Sequence, residues 1–168
     1  MALLITPEEL TERTQIDANV DYDKYKFFIE DVQVKYMGDY LGSTLTNKIL
    51  KDFKADPNFI TGHYRKVLDI LKNIIIYETA SQYVLFGQYQ ITSGGIYKYT
   101  SDDAETVSTE EVEALSKRFA SKAQIYVLQL ERYLCSQGDK IPEYNTQENN
   151  YDKRPQKGTN DMITWFLE

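Results

Sequence analysis

A single cysteine, Cys135, a single histidine, His63, and a single tryptophan, Trp165, are all that the 168 residues hold of those three types. One cysteine excludes an internal disulfide and a Cys-rich zinc site. One histidine excludes a multi-His metal site, and any Ser-His-Asp triad would have to use His63. That residue stands at an expected helix start, where a solvated or capping role fits it better than catalysis. No uninterrupted apolar run, Ile74 to Tyr77 included, approaches the ~20 residues of a membrane span. Met1 to Ile5 is apolar but too short for a signal-peptide core and has no basic start. The expectation is a soluble protein made in a cytoplasm, with no membrane contact. Cations are also scarce: 19 Lys and Arg against 26 Asp and Glu give a net charge of −7. Such a chain lacks the clustered cations that grip nucleic-acid phosphates.

What is present is an ordinary globular inventory, 42% hydrophobic and 27% charged, on a length that suits one domain. The one bias is 14 Tyr against 3 Met. Tyrosine joins a large apolar body to a polar tip, so half-wet surfaces, including protein interfaces, favour it.

The periodicity reads as helices. Thr6-Pro7-Glu8-Glu9 is a capping box with proline at the first helical position. From about Asp21, Tyr25, Phe28, Ile29, Val32 and Tyr36 share one helix face, and Gly38 with Gly42 is expected to close that helix. Ser43 should cap a short helix with the face Leu45, Ile49 and Phe53, broken at Asp56-Pro57. His63 to Phe86 is apolar more than halfway round, which predicts a central helix packed on several sides and ended by Gly87. Ser108 and Glu111 form a second capping box, opening a long helix through Val112, Leu115, Phe119, Ala123, Tyr126, Leu130 and Leu134 to Gly138. Leu71, Ile75, Phe119 and Tyr126 are the expected core.

Between the last two helices, alternation at Tyr89 and Ile91, the turn residues Ser93-Gly94-Gly95, and renewed alternation at Tyr97 and Tyr99 predict a β-hairpin over about 88–100. Residues 139–168 are polar and aperiodic, which predicts an extended arm ending in Met162-Ile163-Thr164-Trp165-Phe166-Leu167. The fold class is therefore mainly α: a small helical bundle over 1–138, a short hairpin insertion, and an extended C-terminal arm over 139–168.

Chemistry is thinly represented. Ser93-Gly94-Gly95 lacks the lysine and helix start of a phosphate loop, and Asp102-Asp103-Ala104-Glu105 lacks the ligand spacing and glycine of a calcium loop. Cys135, on the last turn of an amphipathic helix, has nothing beside it in sequence to activate a thiol. Paired carboxylates are available in any acidic protein and identify nothing. The reading is a protein that is not an enzyme and takes no cofactor or metal.

The order Leu4-Ile5-Thr6-Pro7-Glu8-Glu9-Leu10, then Thr14-Gln15-Ile16-Asp17-Ala18-Asn19-Val20-Asp21, then an aromatic helix with Gln33 and Tyr36, then Tyr40-Leu41-Gly42, resembles the head–tail connector proteins of tailed bacteriophages. These are also called adaptor or head-completion proteins. The turn Ser93-Gly94-Gly95-Ile96, leading through Asp102 into a long final helix, matches that layout too. The resemblance covers roughly residues 3 to 135. It implies a structural virion protein forming a homo-oligomeric, usually dodecameric, ring in the neck between portal and tail. The ring would be assembled in the host cytoplasm, bind the portal and tail or further neck proteins, and extend a channel through which DNA passes without specific binding. An acidic lumen would repel the DNA backbone and let it slide. The expected partner contacts are Tyr89, Ile91, Tyr97 and Tyr99 as an exposed hairpin strip, and Ile163, Trp165 and Phe166 at the end of the arm. The alternative is a monomeric cytoplasmic helical adaptor that binds a partner through the Tyr-rich hairpin.

Overall fold

The computed structural model describes residues 2–14, 16, 23–86, 89–92, 95–98 and 108–145. Six α-helices dominate these residues: α1 Pro7–Thr14, α2 Asp23–Tyr40, α3 Gly42–Ala55, α4 Gly62–Phe86, α5 Thr109–Gln137 and α6 Pro142–Asn145. Short 3-10 turns occupy Pro57–Phe59 and Gly138–Lys140. Two four-residue strands, β1 Tyr89–Thr92 and β2 Gly95–Lys98, pair antiparallel, with Tyr89 opposite Lys98 and Thr92 opposite Gly95. The described chain is mainly α.

The long helix α4 is the axis of the bundle. Ile74, Ile75 and Ile76 are successive residues, about 100° apart around the helix, and all three are buried. Val67, Leu68, Leu71, Ala80 and Ser81 are buried as well, so α4 has little free circumference. Its principal partner is α5, and α2 and α1 pack on it too. The α4–α5 seam closes tightly because small residues line part of it. Ser116 Oγ donates to the Ser81 carbonyl at 2.9 Å and lies 3.0 Å from Ser81 Oγ. Ala80 and Ala123 are buried in the same pair of helices.

Both capping boxes form. Thr6 Oγ1 accepts from the Glu9 amide at 3.3 Å while Glu9 Oε2 accepts from the Thr6 amide at 3.0 Å. At α5, Ser108 Oγ accepts from the Glu111 amide and Glu111 returns the bond to the Ser108 amide. The segment before α1 is held by Gln33, whose buried amide accepts from the Leu4 amide at 2.8 Å and donates to the Ala2 carbonyl at 2.9 Å. Leu71, Ile75 and Phe119 lie in the core as expected. Tyr126 is only half-buried, because it stacks on Tyr77 at 5.8 Å along the edge of the α4–α5 seam.

Three expectations need correction. Gly38 does not close α2, which runs on to Tyr40. The reversal uses one residue, the buried Leu41, followed by Gly42 at a φ of 73° that an L side chain resists. Ser43 is not the cap of α3: Leu41 holds that position and supplies no side-chain bond. Residues 139–145 are not an extended arm. Asp139 and Lys140 continue a 3-10 turn from Gly138, and Ile141 (0% exposed) and Tyr144 (5%) enter the core as α6 packs on α3. Two apolar residues three apart are enough, because Asn145 Nδ2 also donates back to the Gly138 carbonyl at 3.0 Å. Gly87, Asp102 and the arm beyond Asn145 lie outside the described residues.

Gly138 is what admits α6. A Cβ built there would stand 2.7 Å from Tyr144 Cδ1 and 2.8 Å from Cε1, closer than carbon atoms tolerate. Gly138→Ala should therefore displace the Tyr144 ring and destabilise the fold by about 1–3 kcal/mol, the range for overpacking. Leu71→Ala, at the centre of α4, should cost about 2–5 kcal/mol. Thermal or denaturant unfolding of each variant measures both, and a Gly138→Ala midpoint equal to the parent's would refute the steric role.

Candidate interaction surface

The two reactive side chains are built into the bundle. His63 opens α4 next to Gly62, and its Nδ1 lies 2.7 Å from the Tyr133 hydroxyl of α5. The ring thus ties two helices together, a role its position in the sequence did not reveal. Cys135 is partly covered near the end of α5, and burial, followed by the nearby Glu131 carboxylate, pushes its thiol pKa up. A thiol shifted that way is a weak nucleophile at neutral pH. Among the described residues no three His, Cys, Asp or Glu side chains come together as a metal site. No described helix is long and apolar enough to cross a membrane.

Many of the tyrosines serve the interior. Tyr25, Tyr36 and Tyr144 are buried, and Tyr25 meets Tyr83 edge-on at 6.0 Å. Tyr64 donates to Glu143 across the α4–α6 contact. Tyr40, at the end of α2, reaches Glu131 of α5; burial and then that carboxylate push its hydroxyl up to about 12. Tyr40 and Tyr64 cover their rings while their oxygens reach carboxylates on another helix, which is how a bundle seam uses tyrosine. The tyrosine excess is therefore explained in good part by helix packing.

Exposed apolar groups, by contrast, gather in two places, apart from Phe59 (82% exposed) in the 3-10 turn between α3 and α4. At one end of the bundle, Phe28 stacks on Phe86 at 5.5 Å and meets Phe27 edge-on at 5.9 Å. Phe27 is 62% exposed and Phe86, the last residue of α4, is 56% exposed. This aromatic end lies three residues before β1 in the chain. Seven residues along α2 from Phe27, on the same helix face, Val34 is 58% exposed. It borders a groove of about 290 Å³ between α2 and α3, lined by Val34, Met37, Gly38, Gly42, Ser43 and Thr46. A second site is the outer face of α5, where Ile125 (64%) and Leu128 stand in water.

The expected contact residues are placed as follows. Tyr89 and Ile91 lie on β1 and Tyr97 on β2. The register sets Tyr97 opposite Gln90, and Ile91 opposite Ile96. Tyr99, Ile163, Trp165 and Phe166 lie outside the described residues. Sequence reasoning did not find Phe27, Val34 or the groove, because Phe27 and Val34 interrupt no pattern and the groove exists only where two helices meet.

Residues 21–154 match the model of a family of unknown function, DUF6712. The chain belongs to that family. The DUF6712 match takes in α2 to α6 and continues past Asn145, so the Ile141–Tyr144 contact lies inside the family's domain. No curated protein and no solved structure matches.

The Tyr40–Glu131 contact gives a pH test. Burial raises the Glu131 carboxyl above its ordinary value, against the smaller opposing pulls of Tyr40 and Arg132. A raised acid favours its protonated form in the fold. Its contribution is therefore most favourable at low pH and is lost as pH rises through the folded-state pKa. Glu131→Gln keeps an acceptor for Tyr40 without the buried charge. It should raise the unfolding midpoint at pH 7, by less than about 1 kcal/mol because solvent still screens the site. The gain should vanish below about pH 4, where the parent carboxyl binds its proton. An equal or larger gain at acid pH would contradict the burial of this charge.

Proposed function

We propose that the protein is a structural subunit of the neck of a tailed bacteriophage, assembling as a ring between portal and tail and extending the DNA channel. The observation that carries this reading is the amount of apolar surface left in water on an acidic helical bundle: Phe27, Phe86, Val34 and Ile125 are each more than half exposed. Exposed apolar surface of this kind marks docking to another protein. The resemblance of the opening segment, the α2 aromatics and the Ser93-Gly94-Gly95 turn to head–tail connectors supplies the identity of the assembly. The charge of −7 per copy supports a lumen that repels DNA rather than binding it.

In this reading the subunit does no chemistry. The hairpin of β1 and β2 is an insertion that projects from the aromatic end of the bundle and reaches a neighbouring subunit or the next ring. The segment holding Ile163, Trp165 and Phe166 is a second contact, docking on an adjacent copy or on the portal. The protein would reside in the virion neck and meet the portal and tail proteins there.

Electron microscopy and native mass spectrometry of the full chain, alone and with the portal protein of the same virus, test the assignment. Closed rings of one symmetry are expected in at least the portal-bound sample. Replacing residues 89–98 with a Gly/Ser linker should abolish the rings and leave the bundle's unfolding midpoint unchanged. A chain that stays monomeric in both samples and ignores the portal would overturn the ring and favour the alternative, a monomeric adaptor.

A further inference from the structure

The groove between α2 and α3 and the exit of the chain lie on opposite sides of the same helix. On α3, Lys48 faces α6: Glu143 acts on its charge, and its ammonium sits 5.8 Å from the Tyr64 ring that donates to Glu143. Ser43 and Thr46 line the groove instead. At about 100° per residue these two sets point roughly half a turn apart around α3. The described residues end at Asn145 of α6, which packs on α3.

Sixteen residues, 146–161, then precede the apolar run Met162-Ile163-Thr164-Trp165-Phe166-Leu167. A chain of that length spans on the order of 22 Å on average. To reach its own groove it would have to pass around a helix about 10–12 Å across and the elements packed beside it. A neighbour placed against the α6 side meets the run directly. We propose that the run Met162–Leu167 of one copy seats in the α2–α3 groove of a second copy, with the Trp165 ring in the cavity between Val34, Met37, Gly38 and Gly42. The inference rests on the reading that copies of this chain assemble.

The groove suits such an occupant. Its volume of about 290 Å³ is open to solvent and its lining carries no charge. Gly38 provides the depth: a Cβ there would meet nothing within 4 Å. Val34 forms the exposed rim of the cavity, and Phe27 stands two turns earlier on the same side of α2. A groove on one side and a tail on the other make a head-to-tail contact, which propagates and, with the right rotation, closes into a ring.

The sole tryptophan makes the test direct, because all indole fluorescence comes from Trp165. Emission of the full chain should move to shorter wavelength as concentration rises and copies associate. Gly38→Phe fills the groove from a position with open space, so it should weaken association at least about tenfold, the loss typical of a blocked aromatic anchor. It should also leave Trp165 emitting as in water, with the unfolding midpoint of the dilute chain not lowered. If that variant does unfold more easily, Val34→Glu, which places a charge at the groove's exposed rim, should give the same two losses. Blue-shifted emission independent of concentration but abolished by Gly38→Phe would overturn the proposal in favour of the chain's own groove. Association with unchanged Trp165 emission and no effect of either variant would overturn it while leaving the ring reading intact. A chain that never associates, alone or on its portal, would remove both.

Discussion

Burial of α4 around nearly its whole circumference is the constraint on which the bundle depends. Three successive isoleucines cannot all face one neighbour, so at least two other elements must cover them. α5 takes one side over much of its length, and α2 with α1 takes another. Gln33, Lys72 and Arg13 then fix how the covering elements sit. Gln33 holds the strand of chain before α1, Lys72 of α4 pairs with Glu9 at 2.7 Å, and Arg13 donates to Asn73. These bonds specify which face of α1 is inward. Everything outside α4, including the groove, is positioned by this arrangement.

The same constraint explains where apolar surface is left over. α2 and α5 each touch α4 with one face only, and both carry large apolar residues on the other. In α2 the inner set is Tyr25, Ile29, Val32 and Tyr36, while Phe27 and Val34 point away. A helix whose sole task was to cover α4 would place charges there, as α2 does at Glu30 and Asp31. The mixture on the outer face fits a surface that is wet in the free chain and covered in an assembly.

What could be read from the sequence was whatever is encoded within a few residues. Thr6 with Glu9 and Ser108 with Glu111 are local hydrogen-bond pairs, and both formed. The wide apolar wrap of α4 is a local composition, and it placed Leu71 and Ile75 in the core. Features that depend on distant partners were not readable. Gly38 looked like a stop signal, but α2 runs through it to Tyr40 and Gly42 makes the turn. Ile141 and Tyr144 looked like scattered residues in a polar stretch; they become core only because Gly138 leaves room for a ring and α3 offers a surface.

The tyrosines show why composition misleads about interfaces. An excess of tyrosine is compatible with a half-wet surface of any kind, and the seams of a small bundle are half-wet surfaces. Tyr36, Tyr40, Tyr64 and Tyr133 all have pKa values raised by burial, and Tyr40, Tyr64 and Tyr133 have polar partners on another helix. Their hydroxyls are spent inside the subunit. Phenylalanine and valine have no such polar tip to satisfy, so their exposure has no internal explanation. Phe27 meets only the edge of Phe28 and stays 62% exposed, and Val34 at the groove stays 58% exposed, and so they are better markers of an interface than the tyrosines that first suggested one. An exposed phenylalanine or valine side chain costs more than a half-wet tyrosine, so the few exposed apolar groups say more about association than the abundant tyrosines do.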